Sequence, residues 1–252
     1  MKTILKTSIV LLAAVMLASC GTESKKMDCK LPKNYVVKRA AEPVTIDANW
    51  DKPAWKNVQP VELTFYMGEK PEHIPGVQAK VAYDDANIYV IFRVDDNYIK
   101  AVAAKNQDPV CRDSCVEFFF TPGVDISSGY MNMETNCCGK MLLYFQKSRG
   151  VGIVEVADED LAKIEIARSL PFNTIADEIQ TPTVWTLEYR LPISVMEKYM
   201  PVVKPGKGVV WKGNFYKCAD QTSKPHWLTW SYVGKPKPDF HRPDFFGTLV
   251  FE

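Results

Sequence analysis

Through most of the chain, apolar residues recur at every second position. In NIYVIFRVD, Ile88, Val90, Phe92 and Val94 fall on one face while Tyr89, Ile91 and Arg93 fall on the other. That is the period of a pleated strand and not of a helix. VELTFYM, VQAKVAY, SCVEFFF, YMNMETN, KMLLYF, AKIEIA, WTLEYRL, VVWKGNFYKC, HWLTWS and GTLVF also read as strands. Breakers separate them: GEKPEHIPG, TPGVDISSG, CCG, KSRG, KPGKG and GKPKP are built from the residues that make turns. One segment, PISVMEKYM, predicts a short helix that follows a Pro suited to a first turn. Many short strands with one or two short helices predict an all-β protein, an antiparallel β-sandwich. Trp55, Trp185 and Trp211 are expected inside it, since large rings dominate such interiors. Residues 40–252 show no internal repeat and no linker.

The first residues break this pattern. MKTILKTSIVLLAAVMLASC has Lys2 and Lys6 and then an apolar run from Ser8 to Ala18. This is the form of an export signal, too short to be a comfortable membrane span. It ends in Leu17, Ala18, Ser19 and Cys20, which resembles a bacterial lipobox: small residues precede the cut and the Cys20 thiol accepts diacylglycerol. The expected organisation is a signal peptide over 1–19, a polar lipid-anchored tether over 20–33 and one sandwich domain over 34–252. The expected location is the cell envelope, on the outer membrane, with the lipid as the membrane contact.

Composition narrows the partners. Lys and Arg total 31 against 30 Asp and Glu, for a net charge of +1 with the signs interspersed. No basic stripe marks a nucleic-acid surface, so no nucleic-acid partner is expected. Cysteine numbers seven. Export permits disulfides, and one or two are expected beside buried free thiols. Cys111 and Cys115, with Cys137 and Cys138, lack the Cys-x2-Cys spacing of zinc knuckles, so no metal site is assigned. The acidic pairs Asp84-Asp85 and Asp95-Asp96 could offer oxygens to calcium but are ordinary turn residues. No cofactor is expected.

Four segments in register carry a resemblance: VTIDANWDKPAW, VAYDDANIYVIFRVDD, DSCVEFFFTPG, and HWLTWS followed by DFHRPDFFGTLVF. Together they resemble the family 9 carbohydrate-binding modules and their DOMON-like relatives, in the stand-alone form found in exported lipoproteins. The resemblance covers nearly all of the mature chain. It implies an immunoglobulin- or jelly-roll-like sandwich that binds an oligo- or polysaccharide and does no chemistry, in support of polysaccharide capture or breakdown. It also implies a terminal sugar held between two rings. One ring position falls here at Val110 or Cys111, which is not aromatic; the other falls at Phe240, with His241 beside it. The family's motif Glu matches Glu117. An Arg falls at or near Glu134, reversing the charge; an Asn matches Asn136; a Gln falls near Tyr216.

The residues themselves point the same way. Cys115, Glu117 and Phe119 share one strand face, opposite the all-apolar face of Val116, Phe118 and Phe120. Tyr130, Asn132, Glu134 and Asn136 share another, and Asn214 and Tyr216 a third. If these strands are neighbours, they form one floor of acids, amides and a phenol. Such a floor suits a polyhydroxylated ligand whose C–H face stacks on a ring. Trp227 and Trp230, three apart, point to opposite faces, with Trp230 the rim candidate. Phe240, His241 and Arg242, between two prolines, form a candidate lip. The expected ligand set is therefore Glu117, Glu134, Asn136, Tyr216, Trp230, Phe240, His241 and Arg242, with no catalytic residue. Three rivals stand beside it: a glycoside-acting enzyme using Glu117 and Glu134, haem held through His73, His226 or His241, and a surface that binds other envelope proteins.

Overall fold

The computed structural model describes residues 32–252. The expected signal peptide, Cys20, Cys29 and most of the tether lie outside the described residues. Sixteen strands and three one-turn helices follow. The helices are α1 (Pro53–Lys56), α2 (Asp158–Leu161) and α3 (Ile193–Met196); α3 opens the segment read as helical from sequence.

The strands form two layers. The first is ordered β10 (Val154–Glu155), β9 (Met141–Gln146), β8 (Tyr130–Asn136), β7 (Cys115–Thr121), β14 (Val210–Cys218), β16 (Gly247–Phe251) and β1 (Asn34–Arg39). The second runs from β1 through β4 (Gly76–Tyr83), β5 (Asn87–Asp96) and β13 (Thr183–Pro192) to β11 (Glu165–Arg168). Strands β15 (Trp227–Thr229) and β3 (Phe65–Tyr66) extend the first layer beside β14, and β2 (Val61–Glu62) joins β4. A separate pair joins β12 (Ile175–Ile179) to β6 (Ile99–Ala101).

One feature departs from the expected antiparallel plan. Strand β1 pairs parallel with both neighbours, Asn34–Val37 against Thr248–Phe251 and Lys38–Arg39 against Ala82–Tyr83. It crosses from one layer to the other and ties them together.

Alternation decides which side of each strand enters the core. Phe118, Phe120, Met131, Met133, Trp211 and Phe215 point inward from the first layer, to meet Val90, Phe92, Trp185 and Leu187 of the second. Phe92 and Phe215 touch edge to face across the layers, with centroids 6.2 Å apart. Trp55, Trp185 and Trp211 are fully buried, as their ring size predicts.

The segment before α1 is held by one carboxylate. Glu188 on β13 is completely buried and accepts hydrogen bonds from the Asp47 and Ala48 amides, the Lys52 ammonium and the Trp55 indole at 2.7–3.0 Å. Ala48 is thereby fixed at φ 59°, a conformation costly for a side chain. The five described cysteines, Cys111, Cys115, Cys137, Cys138 and Cys218, are free thiols, so the expected disulfides are not formed among them.

Candidate functional site

Strand order in the first layer makes the floor. Because β7 lies between β8 and β14, Glu134, Glu117 and Tyr216 stand in one cross-strand row. Asn132, Phe119 and Asn214 form the row on one side; Asn136, Cys115 and Cys218 form the row on the other. This is the outer face of the layer, away from the main core. Loops cover it, and a second apolar cluster of Val110, Phe119, Tyr130, Tyr216, Phe240 and Phe246 forms beneath them.

A cavity of about 240 Å³ remains open among Glu117, Glu134, Cys111, Cys218, Arg149, Asp220, Trp227, Asp239, Phe240 and His241. It continues along β8 and β9 into a groove of about 570 Å³ that adds Asn132, Tyr144, Gln146 and Ile153. Taken together the two fall within the usual size of a small-molecule site, about 300–1,000 Å³.

Neutral donors surround the two acids. The Cys218 thiol donates to Glu117 Oε1 at 3.0 Å, while Glu117 Oε2 is buried without a partner. The Asn132 amide donates to Glu134 Oε1 at 3.0 Å, and Asn132 Oδ1 accepts from Gln146 at 2.9 Å. Burial, reinforced by the neighbouring charge of Glu134, pushes the Glu117 carboxyl well above its usual range. Burial pushes Glu134 up to about 7. His241 goes the other way, to about 4, because burial disfavours its charged form. Tyr130 OH lies 2.9 Å from His241 Nδ1 and the Gln146 amide 3.4 Å from the same nitrogen. The –NH2 nitrogen of Gln146 can only donate, so Nδ1 is the acceptor and the ring proton resides on Nε2.

Cys115, Glu117 and Cys218 bring donor atoms within 4.8 Å of one another. Burial pushes the Cys115 thiol up to about 12 and Cys218 upward as well. A soft metal there would have to displace both protons first. The three histidines proposed as haem ligands are otherwise engaged: His73 bonds Asp96 at 2.9 Å, His226 bonds Lys217 at 2.8 Å, and His241 lies in the groove.

Four expected site residues are placed elsewhere. Tyr216 is buried under Phe240, the rings stacked 4.2 Å apart and its hydroxyl donating to the Phe240 carbonyl. Asn136 is consumed by the CCG turn, accepting from the Cys138 and Lys140 amides and donating to Asp113. Trp230 packs in the main core against Tyr35 and Phe215. Arg242 bonds Asp244 and lies over Phe245, outside the cavity. Trp227 takes the rim position instead, its indole donating to Asp220 at 2.8 Å. The cavity's cation is Arg149, 3.2 Å from Asp239. Asn132 was on a stripe already visible in the sequence; Arg149, in the KSRG turn, had no such signal.

A sandwich with an open cavity on one sheet face, ring walls and a floor of buried acids and amides has the architecture of a carbohydrate-binding module. The chain belongs to carbohydrate-binding family 9, whose model matches residues 48–251. A solved protein from Bacteroides uniformis ATCC 8492, whose carbohydrate binding is itself an assignment, is 29% identical, with a TM-score of 0.78 over 88% of this chain and all of that one. A family 9 module from Caldicellulosiruptor kristjanssonii in complex with cellotriose is 16% identical, with a TM-score of 0.61 over 87% of this chain and 94% of that one. The glucose complex of a family 9 module from the same organism is 17% identical, with a TM-score of 0.59 over 87% and 96%. At that identity both show the shared fold. No curated protein matches the chain.

Proposed function

We propose that this chain binds a saccharide, without transforming it, in the cavity over β7, β8 and β14. One observation carries the reading: Glu117 Oε2 is buried and unpartnered on the wall of an open cavity. A buried polar atom left unpaired costs about 1–3 kcal/mol, and a sugar hydroxyl, which can both donate and accept, would satisfy it whether or not the carboxyl holds its proton. Phe240 and Trp227 supply the rings against which a sugar's C–H face packs. The cellotriose and glucose complexes of family 9 modules support a hexose as the reference ligand.

Glu117 and Glu134 do not suggest hydrolysis. They stand side by side on one floor, whereas glycosidases place two carboxylates on either side of the scissile bond. The leader and Cys20 support an exported, lipid-anchored protein of the cell envelope, taking part in polysaccharide capture. Labelling with a radioactive fatty acid that is lost in Cys20→Ala would test the anchor; equal labelling of the variant would rule it out.

A glycan array followed by calorimetry on the full chain tests binding. Phe240→Ala and Glu117→Ala are each expected to weaken binding at least about tenfold, or about 1.4 kcal/mol. Arg242→Ala, outside the cavity, should leave it unchanged. Silence across neutral, acidic and amino sugars would refute the function.

A further inference from the structure

Four carboxylates stand around the cavity, Glu117, Glu134, Asp220 and Asp239, against one guanidinium, Arg149, which already bonds Asp239. The two on the floor are directly opposite on neighbouring antiparallel strands. Cβ atoms of such pairs sit about 4.5–5.5 Å apart. Both residues are buried, Glu117 at 2% exposure and Glu134 at 6%. Their hydrogen-bond partners, the Cys218 thiol and the Asn132 amide, are neutral.

A hydroxyl would satisfy the open Glu117 oxygen but could not take the place of the proton that the buried pair holds when empty. Two like carboxylates withdrawn from water side by side are costly until a proton or a cation joins them. An ammonium is compact, carries one positive charge and offers three donors. It can bond the free Glu117 oxygen and Glu134 together. His241, neutral through burial, presents no opposing charge, and Phe240 and Trp227 remain to pack against a sugar ring.

We propose that the preferred ligand is a saccharide bearing a free primary amine, with its ammonium seated between Glu117 and Glu134. This rests on the carbohydrate-binding reading above and narrows its ligand class. N-acetylation would remove the charge and add bulk at the same position, so acetylated and deacetylated forms of one sugar should be sharply distinguished.

The test compares three β-1,4-linked trimers that differ only at C2: glucosamine, N-acetylglucosamine and glucose (cellotriose). Each is titrated calorimetrically into the full chain at pH 6.5, and into Glu134→Gln. The glucosamine trimer is expected to bind at least about tenfold tighter than the other two. Glu134→Gln should abolish that advantage, and a far-UV circular dichroism spectrum matching the wild type shows the variant to be folded. Equal or tighter binding of the neutral trimers would overturn the proposal and leave the carbohydrate-binding function standing. If no trimer and no arrayed glycan binds, both readings fall. Zinc chloride is titrated in parallel. Zinc binding lost in Cys115→Ser, together with no preference for the amine, would assign the acidic floor to a metal and overturn the proposal.

Discussion

Replacing both floor acids by Gln should stabilise the protein at neutral pH and not at acid pH. The Glu134 carboxyl is pushed from 4.5 to about 7, first by burial, and Glu117 is raised in the same direction. Below pH 4.5 folded and unfolded chains both hold these protons, and the acids cost little. Above it the unfolded chain releases them freely while the folded one retains them. The folded state then loses stability at about 1.4 kcal/mol per pH unit for each retained proton. From pH 4.5 to 7 Glu134 alone should cost about 3 kcal/mol. Glu117 adds to that loss.

His226 and His241 act in the opposite sense. Burial holds them at about 3 and about 4, so the unfolded chain binds more protons below pH 6.5 and their effect is to raise stability with pH. Subtracting the stability of Glu117→Gln/Glu134→Gln cancels the histidines. The assay is urea unfolding of both proteins at half-unit steps from pH 4.5 to 8. The difference, wild type minus double variant, should fall by at least about 3 kcal/mol and flatten near pH 7 on the Glu134 side. A difference constant within about 0.5 kcal/mol would refute the buried-acid account.

Further substitutions separate the roles of neighbouring residues. Trp227→Ala should weaken saccharide binding about tenfold in calorimetry with little change in stability, whereas Trp230→Ala, deep in the core, should cost about 3–5 kcal/mol in urea unfolding. Glu188→Ala leaves Lys52, the Trp55 indole and two backbone amides without their shared acceptor and should destabilise by about 3 kcal/mol or more in the same assay. Gly247→Ala would place a Cβ 2.5 Å from the Trp230 ring and 2.7 Å from the Lys33 carbonyl. The cost should be about 1–3 kcal/mol by thermal or urea unfolding.

Period-two alternation made the floor legible because it fixes the face of every side chain. Glu117, Glu134 and Asn132 could be put on one side of two strands before their pairing was known. Strand order then brought them together. Alternation also required that Trp227 and Trp230 diverge, but it could not say which went inward. The choice turned on register: Trp227 lies opposite Cys218 on the floor side, and Trp230 enters the core just past the strand. Strand β1 is not legible in the sequence because NYVVKR is short and borders the polar tether, although its first four residues pair with the last strand and its final two with Ala82 and Tyr83.

What alternation cannot show is what lies over a face. A polar stripe reads equally well as solvated surface, yet here the loop carrying Phe240 folds back on it. That closure hides Tyr216 beneath a stacked ring and takes the phenol out of reach of a ligand. It also turns two ordinary surface glutamates into buried acids with few partners. Asn136 fails for a different reason. It stands last on its strand, where the following turn claims its carbonyl for two backbone amides. A strand end has backbone groups to satisfy that a strand middle does not. The mid-strand carboxylates therefore keep unspent hydrogen-bonding capacity, and Glu117 Oε2 is where a ligand would spend it.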